Sequence, residues 1–281
     1  MATRTALITG CSSGIGYATA ERLLQDGYAV YATARRPESI EALAAKGATT
    51  LPLDVTDEGS MTAAVNRVIE AEGGVGVLVN NAGYSQSGAV ESVSLDEVRR
   101  QFETNVFGLV RMCQLVLPGM RARGEGRIVN VGSMGGRLTF PGAGIYHATK
   151  YSVEAISDAL RFEVRGFGVK VILIEPGLIV TNFGEVAAGS VEAGADRDGA
   201  YASFNRHVAE ITAGAYKGPM TKLGGGPEVV AATIAKALAA KRPRARYAVT
   251  PSAHLLIGQR RITPDRVWDL MMRAQFPTPR R

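Results

Sequence analysis

Thr5-Ala-Leu-Ile-Thr-Gly-Cys-Ser-Ser-Gly-Ile-Gly16 runs an apolar, strand-like segment into a Gly-x-x-x-Gly-x-Gly turn and then into a helix reaching Gln25. Glycines at these positions let the backbone turn tightly and come close to a ligand. The free N–H groups that open a helix attract phosphate. The stretch therefore reads as a pyrophosphate cradle made by Gly10, Ser12, Ser13, Gly14, Ile15 and Gly16. A glycine trio alone is only a tight turn; its place between strand and helix makes it a nucleotide signal.

The same rhythm continues along the chain. Strand-like runs recur at Ala29–Thr33, Thr49–Leu51 with Leu53, Val75–Val79, Arg127–Val131, Val169–Ile174 and Arg246–Val249. Helix-length stretches such as Met61–Glu72, Leu95–Arg121 and Tyr146–Arg165 separate them. Strands alternating with helices imply right-handed crossovers and a parallel sheet covered on both faces. The expectation is an α/β fold with a doubly wound, seven-stranded sheet in one domain over residues 1–250, followed by an extension at 251–281. From Asn182 to Gly226 the chain turns rich in Gly and Ala with weak helical periodicity. An insertion after the sixth strand sits at the carboxyl edge of such a sheet, so 182–226 reads as a substrate lid.

The far end of the nucleotide site is informative by what it lacks. An acid after the second strand would accept a bond from a ribose 2′-hydroxyl, but Arg35 and Arg36 stand there instead. Two guanidiniums suit a 2′-phosphate, so NADP(H) is preferred and NAD(H) is the other admissible cofactor. Asp54 and Val55 end the third strand and are placed to meet the adenine. Asn81, Ala82 and Gly83, within Asn80-Asn-Ala-Gly83, end the fourth and offer small residues beneath the adenosine.

Tyr146-His-Ala-Thr-Lys150 carries the chemistry. At i and i+4 on a helix, the Tyr146 phenol and the Lys150 ammonium share one face. A free tyrosine titrates near pH ~10, and a fixed cation beside it favours the phenolate. A phenol tuned in this way exchanges a proton with an alcohol or carbonyl oxygen. Ser133 follows the apolar run Ile128-Val-Asn-Val131, and from the end of that strand its hydroxyl reaches the same oxygen. His147 reads as pointing away, and His207 and His254 as surface or lid residues.

Composition agrees with a globular, soluble protein: 281 residues, 46% hydrophobic, with no run near the roughly 18 apolar residues of a membrane span. Cys11 and Cys113 lack metal-ligand spacing, so reduced thiols, no metal and a cytoplasmic location are expected. The net charge of +6 is uneven: residues 241–281 hold ten Lys/Arg against two Asp, a balance of +8, leaving −2 for the rest. No nucleic-acid motif interleaves aromatics with these basic residues. Val267, Trp268, Leu270, Met271, Met272 and Phe276 give the tail an apolar surface. Three placements stay open for it: over the substrate cleft, along a sheet edge at a subunit contact, or on a membrane surface.

Taken in order and spacing, Gly10, Gly14, Gly16, Asn80-Asn-Ala-Gly83, Asn105, Ser133, Tyr146, Lys150 and Pro176-Gly177 resemble the short-chain dehydrogenase/reductase family. The resemblance covers roughly residues 3–250 and leans toward the 17β-hydroxysteroid and retinol dehydrogenase branch. It implies a Rossmann-type fold and a carbonyl–alcohol interconversion. In that chemistry Tyr146 is the general acid/base, Ser133 polarises the substrate oxygen, and Lys150 binds the nicotinamide ribose. It further implies that Asn105 bends a helix and holds a relay water, and that Pro176, Gly177, Ile179 and Thr181 cradle the nicotinamide amide. Apolar residues of the insertion and tail (Phe183, Val186, Phe204, Met220, Leu223) indicate an apolar small-molecule substrate. A homodimer or homotetramer through Leu95–Arg121 and Tyr146–Arg165 is expected. The competing readings are a non-catalytic NADP-binding sensor or scaffold on the same fold, and an NAD-dependent hydroxysteroid or retinol-type dehydrogenase.

Overall fold

The computed structural model describes residues 4–181, 183–194, 199–215 and 222–279. Asn182, Asp196, Arg197, Asp198 and Met220 of the expected insertion lie outside the described residues, as does the side chain of Val186. Strands β1 (Thr5–Ile8), β2 (Ala29–Ala34), β3 (Thr49–Pro52), β4 (Val77–Asn80), β5 (Gly126–Val131), β6 (Val169–Pro176) and β7 (Arg246–Val249) form one parallel sheet. Its order is β3-β2-β1-β4-β5-β6-β7, so the expected seven-stranded, doubly wound architecture is what the chain adopts.

The first helices are α1 (Gly14–Gln25), α2 (Glu41–Ala44), α3 (Glu58–Glu72), α4 (Leu95–Phe102), α5 (Gly108–Arg123) and α6 (Gly144–Glu163). They are followed by α7 (Phe183–Gly194), α8 (Ala202–Ala215), α9 (Pro227–Ala239), α10 (Pro251–Ile262) and α11 (Asp265–Gln275). The strands are apolar on both faces because each face meets helices. Ala6, Ile8, Val77, Val79, Ile172 and Ile174 pack with Leu23 of α1 and Ile234 of α9 on one side. Their neighbours Leu7, Leu78, Val171 and Leu173 pack with Val68, Met112 and Val153 of α3, α5 and α6 on the other. The strand period of two thus sorts one apolar run into two cores.

Two local features bear on the site. The helix expected over Leu95–Arg121 is interrupted by a π-helical turn, Glu103–Phe107, between α4 and α5. The weakly periodic insertion contains two real helices, α7 and α8. Ala187 and Val191 on α7, and Phe204 and Val208 on α8, are buried at i,i+4 spacing. Small residues thin that stripe, which is why its period is faint in the sequence. On the tail, Trp268, Met272 and Phe276 bury against Phe204, Val208 and Leu138. The Gln275 carbonyl accepts a hydrogen bond from His207 Nε2 at 2.8 Å. Among the described residues no helix is long and apolar enough to cross a membrane.

Candidate active site

The strand order reverses between β1 and β4, and a crevice opens there at the carboxyl edge, where open α/β sheets bind ligands. The cleft has a volume of about 1340 Å³ and is walled by the loops after β1 to β6, by α8 and by the tail. Its nucleotide half is built from the glycine turn. Gly10 adopts φ 72°, and a Cβ on it would stand 2.9 Å from the Ala82 Cα, so only glycine permits this approach of the two loops. Asn81 stitches them together, donating to the Thr9 and Gly10 carbonyls at 3.0 and 2.9 Å. Ser13 is extended ahead of α1 and its side chain caps nothing, which leaves the first N–H groups of the helix for a ligand. Cys11, inside this turn, is buried, and burial pushes its thiol up to about 12, so it offers no thiolate.

Of the residues expected here, Gly10, Ser12, Ser13, Gly14, Ile15, Arg35, Asp54, Val55, Asn81, Ala82 and Gly83 line the cleft. Gly16 and Arg36 do not. Gly16 sits beneath the turn, where a Cβ would come within 2.5 Å of Asn81 Nδ2, so it serves close packing. Arg36 lies outside because the backbone turns there into a short 3-10 segment at Pro37–Ile40. Uncapped N–H groups at one end, glycines that admit close approach and Arg35 at the other fit a dinucleotide.

Ser133, Tyr146 and Lys150 face the middle of the same cleft, and so do Pro176, Gly177, Ile179 and Thr181. Ser133 leaves β5 in extended conformation and its Oγ accepts from the Gly135 N–H at 3.0 Å, which fixes the hydroxyl at the turn. Lys150 is buried, donates from Nζ to the Val131 carbonyl at 2.9 Å, and lies 5.8 Å from the centroid of the Tyr146 ring. Burial pulls the Lys150 ammonium down to about 8. The expected side-by-side arrangement on α6 is therefore present.

Asn105 sits on the π-helical turn that interrupts the helix. It does not line the cleft; its Oδ1 accepts from the Tyr84 N–H at 3.1 Å, and its Nδ2 donates to the Tyr84 carbonyl and Thr149 Oγ1 at 2.9 and 3.0 Å. Its amide, carried on the π-helical turn, ties the loop after β4 to α6 beside Tyr146 through protein partners. His147 does not point away from the cleft. It is buried, with Nδ1 2.8 Å from the Gly135 carbonyl, while Nε2 accepts from the Phe140 N–H at 3.2 Å. Burial lowers its pKa, so it is a neutral brace for the Ser133 turn.

The remaining half of the cleft is apolar. Phe140, Val208, Ile211, Leu256, Trp268 and Met271 line it, with the Phe140 and Trp268 rings 6.2 Å apart. Phe183 stands over Tyr146 with ring centroids 5.6 Å apart. Phe140 and Ser85 to Ser87 also face the cleft and were not expected to. Their only sequence signal is that each follows a strand end already marked as part of the site.

Residues 4–189 match the family described as short chain dehydrogenase. The chain belongs to that family. It is 37% identical over 273 residues to a 3-ketodihydrosphingosine reductase of Bacteroides thetaiotaomicron, covering 96% of this chain and 97% of the relative. It is 35% identical to the NADPH-dependent 3-dehydrocapnine reductase of Ornithobacterium rhinotracheale, covering 95% of each. It is 39% identical over 262 residues to human 17-beta-hydroxysteroid dehydrogenase type 1, covering 89% of this chain and 78% of the relative. The resemblance to the hydroxysteroid branch is thereby borne out, and this short-chain dehydrogenase is an NAD(P)-dependent oxidoreductase.

Proposed function

We propose that the protein interconverts a carbonyl and an alcohol on an apolar small molecule with NADP(H), using Tyr146 as general acid/base. The observation that carries this is Tyr146 set beside buried Lys150 and Ser133, where the nucleotide half of the cleft meets its apolar half. A bound nicotinamide dinucleotide supplies or accepts the hydride. Ser133 holds the substrate oxygen, Tyr146 gives or takes the proton on that oxygen, and the Lys150 ammonium favours the phenolate. Pro176, Gly177, Ile179 and Thr181 border the nicotinamide end, and Asn105 and His147 hold the loops that bring these groups together. Helices α7 and α8 with the tail close the apolar end against water.

Arg35 at the ribose end, in place of an acid, supports NADP(H), and one relative is named as NADPH-dependent. Exposed Phe107, Tyr151 and Phe162 on the π-helical turn and α6 support assembly into a homo-oligomer through that face. The test is oxidation of NADPH and NADH by purified protein against steroid, retinoid, aromatic and aliphatic carbonyls, beside Tyr146→Phe. The variant is expected to lose about 10²- to 10⁴-fold in kcat while binding NADPH as before. Tight NADPH binding without turnover of any carbonyl would establish the sensor reading instead.

A further inference from the structure

Behind the Ser133 turn, outside the cleft, lie two buried carboxyl groups that the proposed chemistry leaves unused. Glu154 follows Lys150 by one turn of α6, and Glu175 directly precedes Pro176 on β6; they are 7% and 4% exposed. Two guanidiniums bridge them. Arg246 Nε, on β7, donates to Glu154 Oε2 at 3.0 Å and lies 3.5 Å from Glu175 Oε1. Arg137, at the end of the Ser133 turn, lies 3.7 and 3.5 Å from the same two oxygens through Nη1. Arg246 also pairs through Nη2 with Asp158, which Arg161 holds from its other side.

One atom in this cluster is anomalous. Glu154 Oε1 is buried and accepts no hydrogen bond, a costly state for an ionised carboxylate. The Glu175 carboxyl lies within hydrogen-bonding reach of Glu154. If Glu154 carries a proton, its orphaned oxygen no longer belongs to an ionised carboxylate, and two like charges no longer face each other across the shared guanidiniums.

The cluster also grips the site mechanically. A Cβ on Gly136 would stand 2.9 Å from both Glu154 Cγ and the Lys150 carbonyl oxygen, so the Ser133 turn rests directly on Glu154. The Gly132 N–H donates to the Ile174 carbonyl at 2.8 Å, joining that turn to the strand that carries Glu175. We propose that Glu154 and Glu175 share one proton and act as a positioning pair, holding the Ser133 turn, α6 and the Pro176–Gly177 turn in register for proton transfer at Tyr146. This rests on the oxidoreductase reading above.

Burial first, and the Glu175 carboxyl second, push Glu154 up to about 7 against the opposing pull of Arg246. The charged groups facing the pair are Arg137 from the Ser133 turn, Asp158 from α6 and Arg246 from β7, while the Lys150 ammonium turns to the Val131 carbonyl. Loss of the shared proton places a second negative charge between the Ser133 turn and β6 and pushes the two apart.

The test compares wild type with Glu154→Gln and Glu175→Gln. The ratio of wild-type to Glu154→Gln kcat/KM is expected to fall several-fold as pH rises through about 7, and Glu175→Gln is expected to lack the same step. The second readout is the melting temperature of cofactor-free protein. A carboxyl raised in the folded state contributes stability that is full below its ordinary 4.5 and lost as pH rises through about 7, so wild type loses stability relative to Glu154→Gln across that window. Parallel melting curves overturn the shared proton. A melting step with a flat kcat/KM ratio overturns the positioning role and leaves a purely structural one. Wild type that turns over no carbonyl removes the oxidoreductase reading itself, and the proposal falls with it; turnover with a flat ratio sinks the proposal alone.

Discussion

Lys150 shows at the scale of one residue how a site works against its own fold. Its ammonium is buried with one carbonyl partner, and burial lowers its pKa from 10.5 to about 8. A group depressed in this way contributes full stability only above its unfolded value and loses it as pH falls through the folded one. At neutral pH the charged, buried lysine therefore costs on the order of 3 kcal/mol. Lys150→Met is expected to melt higher than wild type at pH ~7 in the cofactor-free state, with the gain shrinking as pH rises from about 8 toward 10.5. Equal melting temperatures at neutral pH would mean that the Val131 carbonyl compensates the burial. Tyr146 and Lys150 were legible as a pair because helical spacing alone puts them on one face. The hydrogen-bond partners of Asn105 and His147 were not. Their partners, the Tyr84 backbone and the Gly135 and Phe140 backbone, come from segments whose approach no local spacing encodes.

At the scale of elements, what was legible followed the strength of the apolar pattern. The strands are short β-branched runs ending in glycine or polar turns, and each was found within a few residues of its reading. Helices α7 and α8 were faint because their buried stripe rests on residues as small as Ala187 and Ala209. Glu154 and Glu175 were invisible as partners, since a glutamate on a helix or at a strand end ordinarily reads as a solvated position. Helix α11 was the opposite case: Trp268, Met272 and Phe276 at i, i+4 and i+8 announce a buried face, though not what it covers. They cover α8, and Trp268 also borders the cleft, so one substitution tests packing and substrate contact together. Trp268→Ala is expected to lower stability by about 3–5 kcal/mol by urea unfolding. It is also expected to raise KM for apolar carbonyls more than for small polar ones. A KM change of equal size for both would show that the tail only supports α8.

At the scale of the whole molecule, one sheet edge gathers groups from nearly every strand end, and ligand binding must therefore stabilise the sheet as a unit. A cofactor at about 100 times its Kd adds about 2.7 kcal/mol to the folded state, and any preference between cofactors appears as a difference in melting temperature. Arg35 lines the cleft directly after β2, the position at which an acid would select a free 2′-hydroxyl. A guanidinium–phosphate contact contributes about 1.5–3 kcal/mol, which is about a 10- to 100-fold difference in Kd. NADPH is therefore expected to raise the melting temperature of wild type more than NADH at equal concentration, and Arg35→Asp to reverse that order. Arg36, outside the cleft, makes a matched control, because Arg36→Asp alters the same local charge without altering the lining. If Arg36→Asp reverses the order as fully as Arg35→Asp, the preference arises from the general field of the loop. If neither variant changes it, the 2′-phosphate is read elsewhere in the cleft, and the cofactor assignment loses its basis in Arg35.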